Sequence, residues 1–300
     1  TSIGPSIQHF GSEEQKRRWL PGIWSGEYTF AIGYSEPNAG TDLASLRTRA
    51  VRDGDEWVIN GQKIWTSLAD VATHIWLAVR TDPSAAKHAG ISIFAVDLKS
   101  PGIRVDPMHL LSEHDINTVF FDDVRVPVTT LVGKENQGWR LITSQLNHER
   151  VTLCSAGLLA QAYEETVAWA RATESAEGGR VIDQEWVQIG LARVHAGLEF
   201  LRLINWKVAW TGTQGRLDVA DASTIKVFGT EFYLESFRIL MDIIGPRAYL
   251  RRGSPDVVGV GRLEMLYRSL IILTFGGGTN EVQRDLIGMF GLGLPRMPRF

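Results

Sequence analysis

Apolar residues recur at two different spacings along the chain, and the change of spacing divides it into two parts. From Tyr28 to about Val132, short runs rich in β-branched and aromatic residues show the period of two that predicts strands. The Asp53-Gly54 and Asn60-Gly61 pairs each stand between such runs and predict tight type I′ hairpins, because these residue types tolerate positive φ. This part is expected to form an antiparallel sheet or barrel. The runs lie at residues 57–59, 63–65, 74–79, 91–96 and 119–121.

After Gly138 the apolar residues recur every three to four positions, which predicts helices for the rest of the chain. A stripe of this kind needs apolar helical neighbours, so the second part is predicted to be a helix bundle. The clearest stripe contains Val187, Leu191, Val194, Leu198 and Leu201. The predicted helices span residues 141–173, 184–212, 218–244, 261–274 and 280–290.

The first residues form a smaller segment with a different pattern. Ser12 is predicted to cap a short polar helix over residues 12–20, and Pro21 to end it. The 300 residues exceed the usual size of one domain, so more than one is expected. The predicted division is a helical tail at 1–27, a β-domain at 28–134 and a helical domain at 135–300.

Composition and charge narrow the classes of function. A formal net charge of −3 gives no basic footprint, so no nucleic-acid partner is expected. The apolar run at residues 269–275 is far shorter than the roughly 20 residues that cross a bilayer, so no membrane segment is expected. Cys154 is the single cysteine, which excludes an internal disulfide and fits the cytoplasm. No metal site is expected, since Cys154 has no partners at ligand spacing.

Two segments of the first part are candidates for binding a ligand. The loop at residues 34–42, Tyr-Ser-Glu-Pro-Asn-Ala-Gly-Thr-Asp, offers backbone N–H groups and the Ser35 and Thr41 hydroxyls to a planar polar ligand. An ordinary surface turn would have the same letters. In the second segment, Trp65 is suited to stack on an aromatic ring while Ser67 bonds to its edge. The alternative is that Trp65 belongs to the core.

Two further candidates lie in the helical part. Glu149, in Asn147-His148-Glu149-Arg150, is a candidate general base because a helix fixes its position. Alternatively it is only a first-turn acid, with Ser144 or Asn147 as the cap. The glycine-rich stretch at residues 275–284 lets a ligand approach the backbone, and Thr279 is suited to cap the next helix. A plain loop between helices would also produce this sequence.

Taken together and in this order, these segments resemble the acyl-CoA dehydrogenase family over essentially the whole chain. The shared motifs are the Ser-Glu-Pro-x-Ala-Gly-Thr-Asp loop, Asn-Gly-Gln-Lys-x-Trp, the strand at residues 121–127 and the Gly-Thr-Asn-Glu-Val-Gln-Arg ending. The resemblance implies an α+β multidomain fold, with a middle antiparallel β-domain followed by a C-terminal four-helix-bundle-like domain. It also implies FAD as the cofactor and an acyl-CoA thioester as the substrate, both held between these domains.

The resemblance assigns a role to each matching residue. Ile32, Tyr34 and Ser35 would meet the flavin edge, and Trp65 and Ser67 would flank its ring system. The other implied ligand contacts are Gly40 and Thr41 near the pyrophosphate or substrate, Thr279 and Glu281 at the other end of FAD, and Arg150 near the substrate.

The catalytic base is where the sequence departs from most of the family. Most members carry a glutamate directly before the last Gly-Thr, and this chain has Gly277 there. A minority place the base on a helix in a Leu-x-x-Glu-Arg motif, which Leu146 to Arg150 matches, so Glu149 is the expected base. The Gly277 backbone N–H can still help to polarise the thioester carbonyl.

A second departure concerns the segments that family members extend to a neighbouring subunit's FAD. Ser175, Gly178 and Asp242 stand where an arginine, a phenylalanine and a glutamine are expected. We therefore expect this chain to form a heteromer with a second acyl-CoA dehydrogenase-like subunit. The expected assembly is a heterotetramer. The resemblance further implies an electron-transfer flavoprotein as acceptor and a bulky or sterol-derived acyl group. Two alternatives stay open: a non-catalytic scaffold subunit, or an oxidase on the same fold.

Overall fold

The computed structural model describes residues 2–112, 115–214 and 218–296, without the side chains of residues 148, 150 and 151. The chain divides into two compact units. The first comprises Thr1–Leu110 and His114–Leu146, and the second comprises Leu111–Glu113 and Asn147–Phe300.

The first unit contains a mixed sheet preceded by two helices. The helices are α1 (Ile3–Phe10) and α2 (Glu13–Ser25). The strands are β1 (Phe30–Gly33), β2 (Arg49–Asp53), β3 (Glu56–Ser67), β4 (His74–Arg80), β5 (Ile91–Asp97), β6 (Ile103–Met108), β7 (Ile116–Pro127) and β8 (Leu131–Val132). Their order is β6-β7-β3-β2-β4-β5-β8, with β1 pairing to β4. The pairing is mostly antiparallel as predicted, but β1 and β2 each pair with β4 in parallel, so the sheet is mixed.

Of the two predicted hairpins, one is confirmed and the other is wrong. Asp53 pairs with Glu56, so a two-residue turn at Gly54-Asp55 joins β2 to β3. Only Gly54 has a positive φ there, 62°, which is the pattern of a type II′ turn and not of type I′. Asn60-Gly61 makes no turn: β3 runs straight through it, with a bulge in its pairing to β7. The Asn60 side chain instead bonds to Asp123 of β7, which favours a bulge over a turn.

Strands β4 and β5 form the centre of this unit. Alternate residues of β4 point to opposite faces of the sheet, so Trp76 and Leu77 lie in two separate apolar cores. Trp19 of α2 and Leu141 pack in the same core as Trp76. Truncating a buried aromatic of this kind costs about 3–5 kcal/mol, so the two cores hold the sheet as a rigid support.

Helix α2 begins where it was predicted but ends later. Ser12 caps it, and Gln15 closes a capping box. Pro21 was predicted to end the helix, yet the helix continues to Ser25 and ends at Gly26, whose φ is 81°. Pro21 lies on the exposed face, where losing one backbone hydrogen bond is least costly.

The second unit is helical. Its core combines buried residues of several helices, and the predicted stripe from Val187 to Leu201 is buried there. The helices of the C-terminal half are α3 (Gly138–Leu153), α4 (Ala156–Ala172), α5 (Glu185–Thr213), α6 (Val219–Ile244), α7 (Arg262–Leu270) and α8 (Asn280–Leu286). Helix α3 begins in the first unit and ends in the second.

The single helix predicted over residues 141–173 is two helices, α3 and α4, broken at Cys154-Ser155. The cause is a distant side chain, Asn205 of α5. Its Nδ2 donates to the Cys154 carbonyl at 3.2 Å, and its Oδ1 accepts from the Ala156 N–H at 3.1 Å. Asn205 thus satisfies backbone groups that both new helix ends leave without intrahelical partners. Among the residues that the structure describes, no helix is both long enough and apolar enough to cross a membrane.

Candidate functional site

The loop at residues 34–42 leaves β1 through Tyr34. The Tyr34 side chain is buried, donating to Gln145 Oε1 at 2.7 Å and accepting from the Trp76 indole at 3.1 Å. Its ring is therefore part of the core of the first unit, so its predicted contact with the flavin edge would have to come from its backbone. Ser35 is half-buried, and its carbonyl accepts the Ile64 N–H at 2.9 Å, which joins the loop to β3.

A tight turn at Pro37-Asn38 closes this loop, with reciprocal backbone hydrogen bonds of 3.0 Å between Glu36 and Ala39. Gly40 and Thr41 follow the turn and are exposed. The Glu36 carboxylate turns inward and accepts the N–H groups of Arg47 and Thr48 at 2.6 and 2.8 Å. Glu36 therefore ties the loop to the start of β2.

A fully buried lysine on β3 completes the anchoring of the loop. Lys63 Nζ donates to Glu36 Oε1 at 2.7 Å and to the Tyr34 carbonyl at 3.1 Å. Burial lowers the pKa of Lys63 to about 8, against the opposing effect of the Glu36 carboxylate. Burial alone would raise the pKa of Glu36, but the Lys63 ammonium and the N–H donors outweigh it, and the pKa lies below its usual value.

Trp65 lies two residues after this lysine, at a second bulge of β3. The pairing with β7 shifts register between Lys63 and Thr66, and Trp65 has a φ of 61°. This left-handed conformation is strained for an aromatic residue and occurs mostly where function or packing requires it. The bulge turns the indole outward, leaving it 57% exposed. Trp65 is therefore not a core tryptophan.

The remaining predicted residues of the first unit lie around the same bulge. Ser67 is exposed at the end of β3, and Ile32 is half-buried on β1. The hydrogen bond between Ile64 and Ser35 brings the 34–42 loop next to the Trp65 bulge. This unit thus presents an exposed indole beside hydroxyl and backbone polar groups.

In the second unit, Glu149 lies one turn before the C-terminal end of α3 and is half-buried. Because the helix begins at Gly138, Glu149 is not a first-turn acid, and the capping interpretation is wrong. The helix dipole gives a carboxylate at this end no stabilisation. The Arg150 side chain lies outside the described residues.

The glycine-rich loop after α7 packs against the end of α3. Gly277 has a φ of 70°, and a Cβ added to it would lie 3.2 Å from Leu153 Cδ1. Leu153 is four residues after Glu149, on the same face of α3, and helical side chains lean toward the N-terminus of their helix. Gly277 and Glu149 therefore lie at the same face of α3, while a side chain at Gly277 would be strained.

A second buried lysine, which the sequence analysis missed, holds this loop. Lys226 of α6 is fully buried, and its Nζ donates to Asn280 Oδ1 at 2.6 Å. Its position continues the apolar stripe of α6, which includes Ala222, Gly229 and Tyr233. A lysine within such a stripe is the sequence signal that could have identified it.

Thr279 caps α8 as predicted, accepting the Val282 N–H at 3.3 Å, and Glu281 is exposed in its first turn. Arg284 Nη2 of α8 donates to both carboxylate oxygens of Glu231, at 2.7 and 2.8 Å. Within the described ranges, no three His, Cys, Asp or Glu side chains come together as metal ligands.

Three domain profiles of one family match the chain in order. The N-terminal, middle and C-terminal domains of acyl-CoA dehydrogenases match residues 1–27, 31–124 and 136–292. Acyl-CoA dehydrogenase FadE26 from Mycobacterium tuberculosis is 52% identical over 305 residues, which is 99% of this chain and 76% of that protein.

Solved structures agree with the profiles. The ChsE4-ChsE5 complex from Mycobacterium tuberculosis matches with a TM-score of 0.91 and 53% identity, over 98% of this chain and 76% of the matched one. The steroid acyl-CoA dehydrogenase Tcur3481-Tcur3483 matches with a TM-score of 0.93 and 48% identity, over 99% and 76%. The chain therefore belongs to the acyl-CoA dehydrogenase family.

Proposed function

We propose that this protein catalyses the α,β-dehydrogenation of an acyl-CoA thioester to the trans-2-enoyl-CoA, with FAD as the cofactor. The observation that carries the proposal is the contact of the Gly277 loop with α3 at Leu153, one turn after Glu149. We propose that it accounts for the missing glutamate of the last motif, because Glu149 lies one turn before Leu153 on α3.

The residues of the first unit fit a flavin. An isoalloxazine ring needs a flat apolar surface and hydrogen-bonding groups at its edge. The exposed Trp65 indole supplies the surface, and Ser67, Ser35 and the Tyr34 backbone supply polar groups on the same elements. Bound FAD would provide the acceptor for the β-hydrogen, which leaves as hydride.

Glu149 is proposed to remove the α-proton of the thioester. A carboxylate with an ordinary pKa of about 4.3 is a weak base toward a C–H bond, so the thioester carbonyl must be polarised. The backbone N–H of Gly277 is proposed to donate to that carbonyl oxygen. Expelling water when the acyl chain binds strengthens both interactions. Arg150, Thr279, Glu281, Gly40 and Thr41 stay predicted ligand contacts.

We also propose that the chain works beside an unlike subunit. Residues 174–180 close on themselves, with Ser175 N–H bonding the Gly179 carbonyl at 3.0 Å. Arg180, which with Arg171 is one of two nearby cations that could replace the missing arginine, donates to the Ala172 carbonyl at the end of α4 at 2.9 Å. Asp242 is an exposed anion where the family places an amide, which works against holding a pyrophosphate.

Helix α5 has an apolar face suited to such an association. Trp206 and Trp210, one turn apart, are 68% and 66% exposed, and Phe200 and Leu203 extend the same surface. Contiguous exposed tryptophans on a monomer mark a protein interface. Two of the similar structures are named as complexes of two chains, which supports a second acyl-CoA dehydrogenase-like subunit and a heterotetramer.

The acyl group is proposed to be bulky and sterol-derived. One similar structure is titled a steroid acyl-CoA dehydrogenase, at 48% identity to this chain. A panel of acyl-CoA thioesters, read by anaerobic bleaching of the flavin, would identify the substrate. Faster bleaching by straight-chain than by steroid-derived thioesters would overturn this part of the proposal.

The same experiment tests the reaction itself. The full-length protein with its partner should be yellow and should bleach when an acyl-CoA is added without oxygen. Absence of bleaching with every thioester would leave the scaffold alternative. Rapid recolouring in air, with peroxide formed, would indicate an oxidase, whereas recolouring only with an electron-transfer flavoprotein would indicate a dehydrogenase.

A further inference from the structure

Lys226 of α6 binds the glycine-rich loop at both of its ends. Its ammonium donates to the Thr274 carbonyl at 3.1 Å, to the Gly278 carbonyl at 2.6 Å and to Asn280 Oδ1 at 2.6 Å. The segment between the two carbonyls contains Gly277. One side chain thus fixes the backbone on both sides of this glycine.

Burying an ammonium group costs several kcal/mol unless its donors are satisfied, so its retention in the interior calls for an explanation. Lysine has three N–H donors, and the Thr274, Gly278 and Asn280 oxygens are acceptors for them. The loop has no side chains of its own at Gly276, Gly277 and Gly278, and Gly277 and Gly278 have positive φ values of 70° and 99°.

A second set of contacts fixes the residue that follows the loop. Asn280 Nδ2 donates to Thr230 Oγ1 and to Glu231 Oε1, both at 3.1 Å. These partners lie on α6, one turn after Lys226. Helix α6 therefore holds the loop at three backbone or side-chain points.

Helix α6 also holds the end of α3. A Cβ added to Gly229 would lie only 2.4 Å from the Cβ of Cys154, so this glycine permits close approach of α6 to the residue that follows α3. Helix α6 thus contacts both the end of α3, the helix that carries Glu149, and the loop that carries Gly277. Both contacts lie within one turn of Lys226.

We infer that Lys226 is a positioning residue for the reaction: it holds the Gly277 backbone in place against Glu149 through the two loop carbonyls. The inference rests on the proposed function. A donor that stabilises a developing enolate must be fixed to within about 0.5 Å, and a displacement of about 1 Å can lower the rate about a hundredfold.

The test compares Lys226→Met, which keeps the length of the side chain but none of its donors, with Phe237→Leu. Phe237 is also fully buried on α6, in the core of the helical unit, so its variant controls for general loosening. Both are made in the full-length flavin-loaded protein with its partner. Two readouts are used: hydrogen exchange of the backbone amides at 274–280, and α-proton exchange of phenylacetyl-CoA in D2O.

Phenylacetyl-CoA has α-hydrogens but no β-hydrogen that can leave as hydride, so its exchange isolates proton removal from flavin reduction. We expect Lys226→Met to speed amide exchange at 274–280 and to slow α-proton exchange about a hundredfold, with thioester binding nearly unchanged. Phe237→Leu should change neither the amide exchange at 274–280 nor the α-proton exchange beyond any general loosening of the protein. If Lys226→Met does not fold, Lys226→Gln, which keeps two N–H donors, should show the same changes at smaller size.

Equal behaviour of Lys226→Met and Phe237→Leu in both readouts would overturn the role of Lys226. A loss of thioester binding in step with the loss of exchange would overturn it as well. Wild-type protein that neither exchanges the α-proton nor bleaches with acyl-CoA would instead overturn the proposed function, so the two failures are distinct.

Discussion

In each unit a fully buried lysine holds a glycine-containing loop, but the two ammonium groups have different kinds of partner. Lys63 forms an ion pair with Glu36, which belongs to the 34–42 loop itself. Lys226 binds two backbone carbonyls and an amide oxygen of the 274–280 segment. The first loop is held through a carboxylate, whereas the second is held through two carbonyl oxygens and an amide oxygen.

The difference also separates binding from chemistry. The loop held by Lys63 lies beside Trp65 and is proposed to bind the flavin, whereas the loop held by Lys226 lies beside the helix of the proposed base. Changes in the first unit should therefore alter FAD affinity and stability. Changes around the second loop should alter proton removal, with FAD still bound.

The largest effect is expected from Glu149→Gln, which tests whether the second unit carries out proton removal. An amide cannot accept the α-proton, so flavin reduction by substrate should slow at least roughly a thousandfold while FAD stays bound. Stopped-flow flavin bleaching measures the rate, and the visible spectrum measures occupancy. Glu164→Gln, an exposed carboxamide substitution on α4, is the control. Bleaching near the wild-type rate would remove Glu149 from the reaction.

Lys63→Met should give the next largest effect and tests the binding half. It leaves the Glu36 carboxylate buried without its cation, and breaking a buried pair in this way costs about 3–5 kcal/mol of stability. The 34–42 loop should also loosen, so FAD affinity should fall with it. Urea unfolding of the flavin-free protein and flavin titration measure the two. Removing both charges, in Lys63→Met with Glu36→Gln, should restore part of the stability; a double variant no better than the single one would contradict the ion-pair account.

Trp65→Ala should separate affinity from stability most cleanly. The indole is 57% exposed, so the flavin-free protein should change by about 0.5 kcal/mol or less. Losing a stacking partner should weaken FAD binding roughly tenfold. Trp24→Ala, at an exposed tryptophan of α2, is the matched control and should leave FAD binding unchanged. A similar loss of stability with and without FAD would show that Trp65 serves only the fold.

The smallest expected effect is the loss at low pH of the contribution that Glu36 makes to the free energy of unfolding. Its pKa lies below the usual 4.5 in the folded protein, so its contribution to stability is fully present above pH 4.5. The contribution is lost as the pH falls through the folded-state pKa. The difference in unfolding free energy between wild type and Glu36→Gln should therefore be constant between pH 4.5 and the pKa of Lys63, about 8, and shrink below pH 4.5. Glu27→Gln, at an exposed residue of the same unit, reports the general acid response; an identical pH profile for both variants would contradict the prediction.

Local patterns predicted much of the fold because most elements follow from their own residues. The period of two placed strands β3, β4, β5 and β7 but missed the shorter β1, β2, β6 and β8. The stripe from Val187 to Leu201 placed the buried face of α5. The misses have distant causes. Asn205 breaks the helix at Cys154-Ser155 from 49 to 51 residues away, and Asp123 holds Asn60 in a bulge from 63 residues away.

The candidate site shows the same division. Sequence motifs predicted roles for Trp65, Glu149 and Thr279, since each is marked by its neighbours along the chain. They gave no role to Lys63 or Lys226, because a buried lysine is explained only by the oxygens that surround it after folding. The strained φ of 61° at Trp65 could not be predicted from the sequence either, since it results from the shifted pairing of β3 with β7.

The break between α3 and α4 supplies the protein with a natural reporter. Cys154 is the only cysteine of the sequence, it is fully buried, and burial raises the pKa of its thiol to about 12. In the native state the thiol is therefore protected from alkylating reagents, which require an accessible thiolate. The rate of labelling then measures how often this end of α3 opens away from Gly229, at a single atom and without any introduced probe.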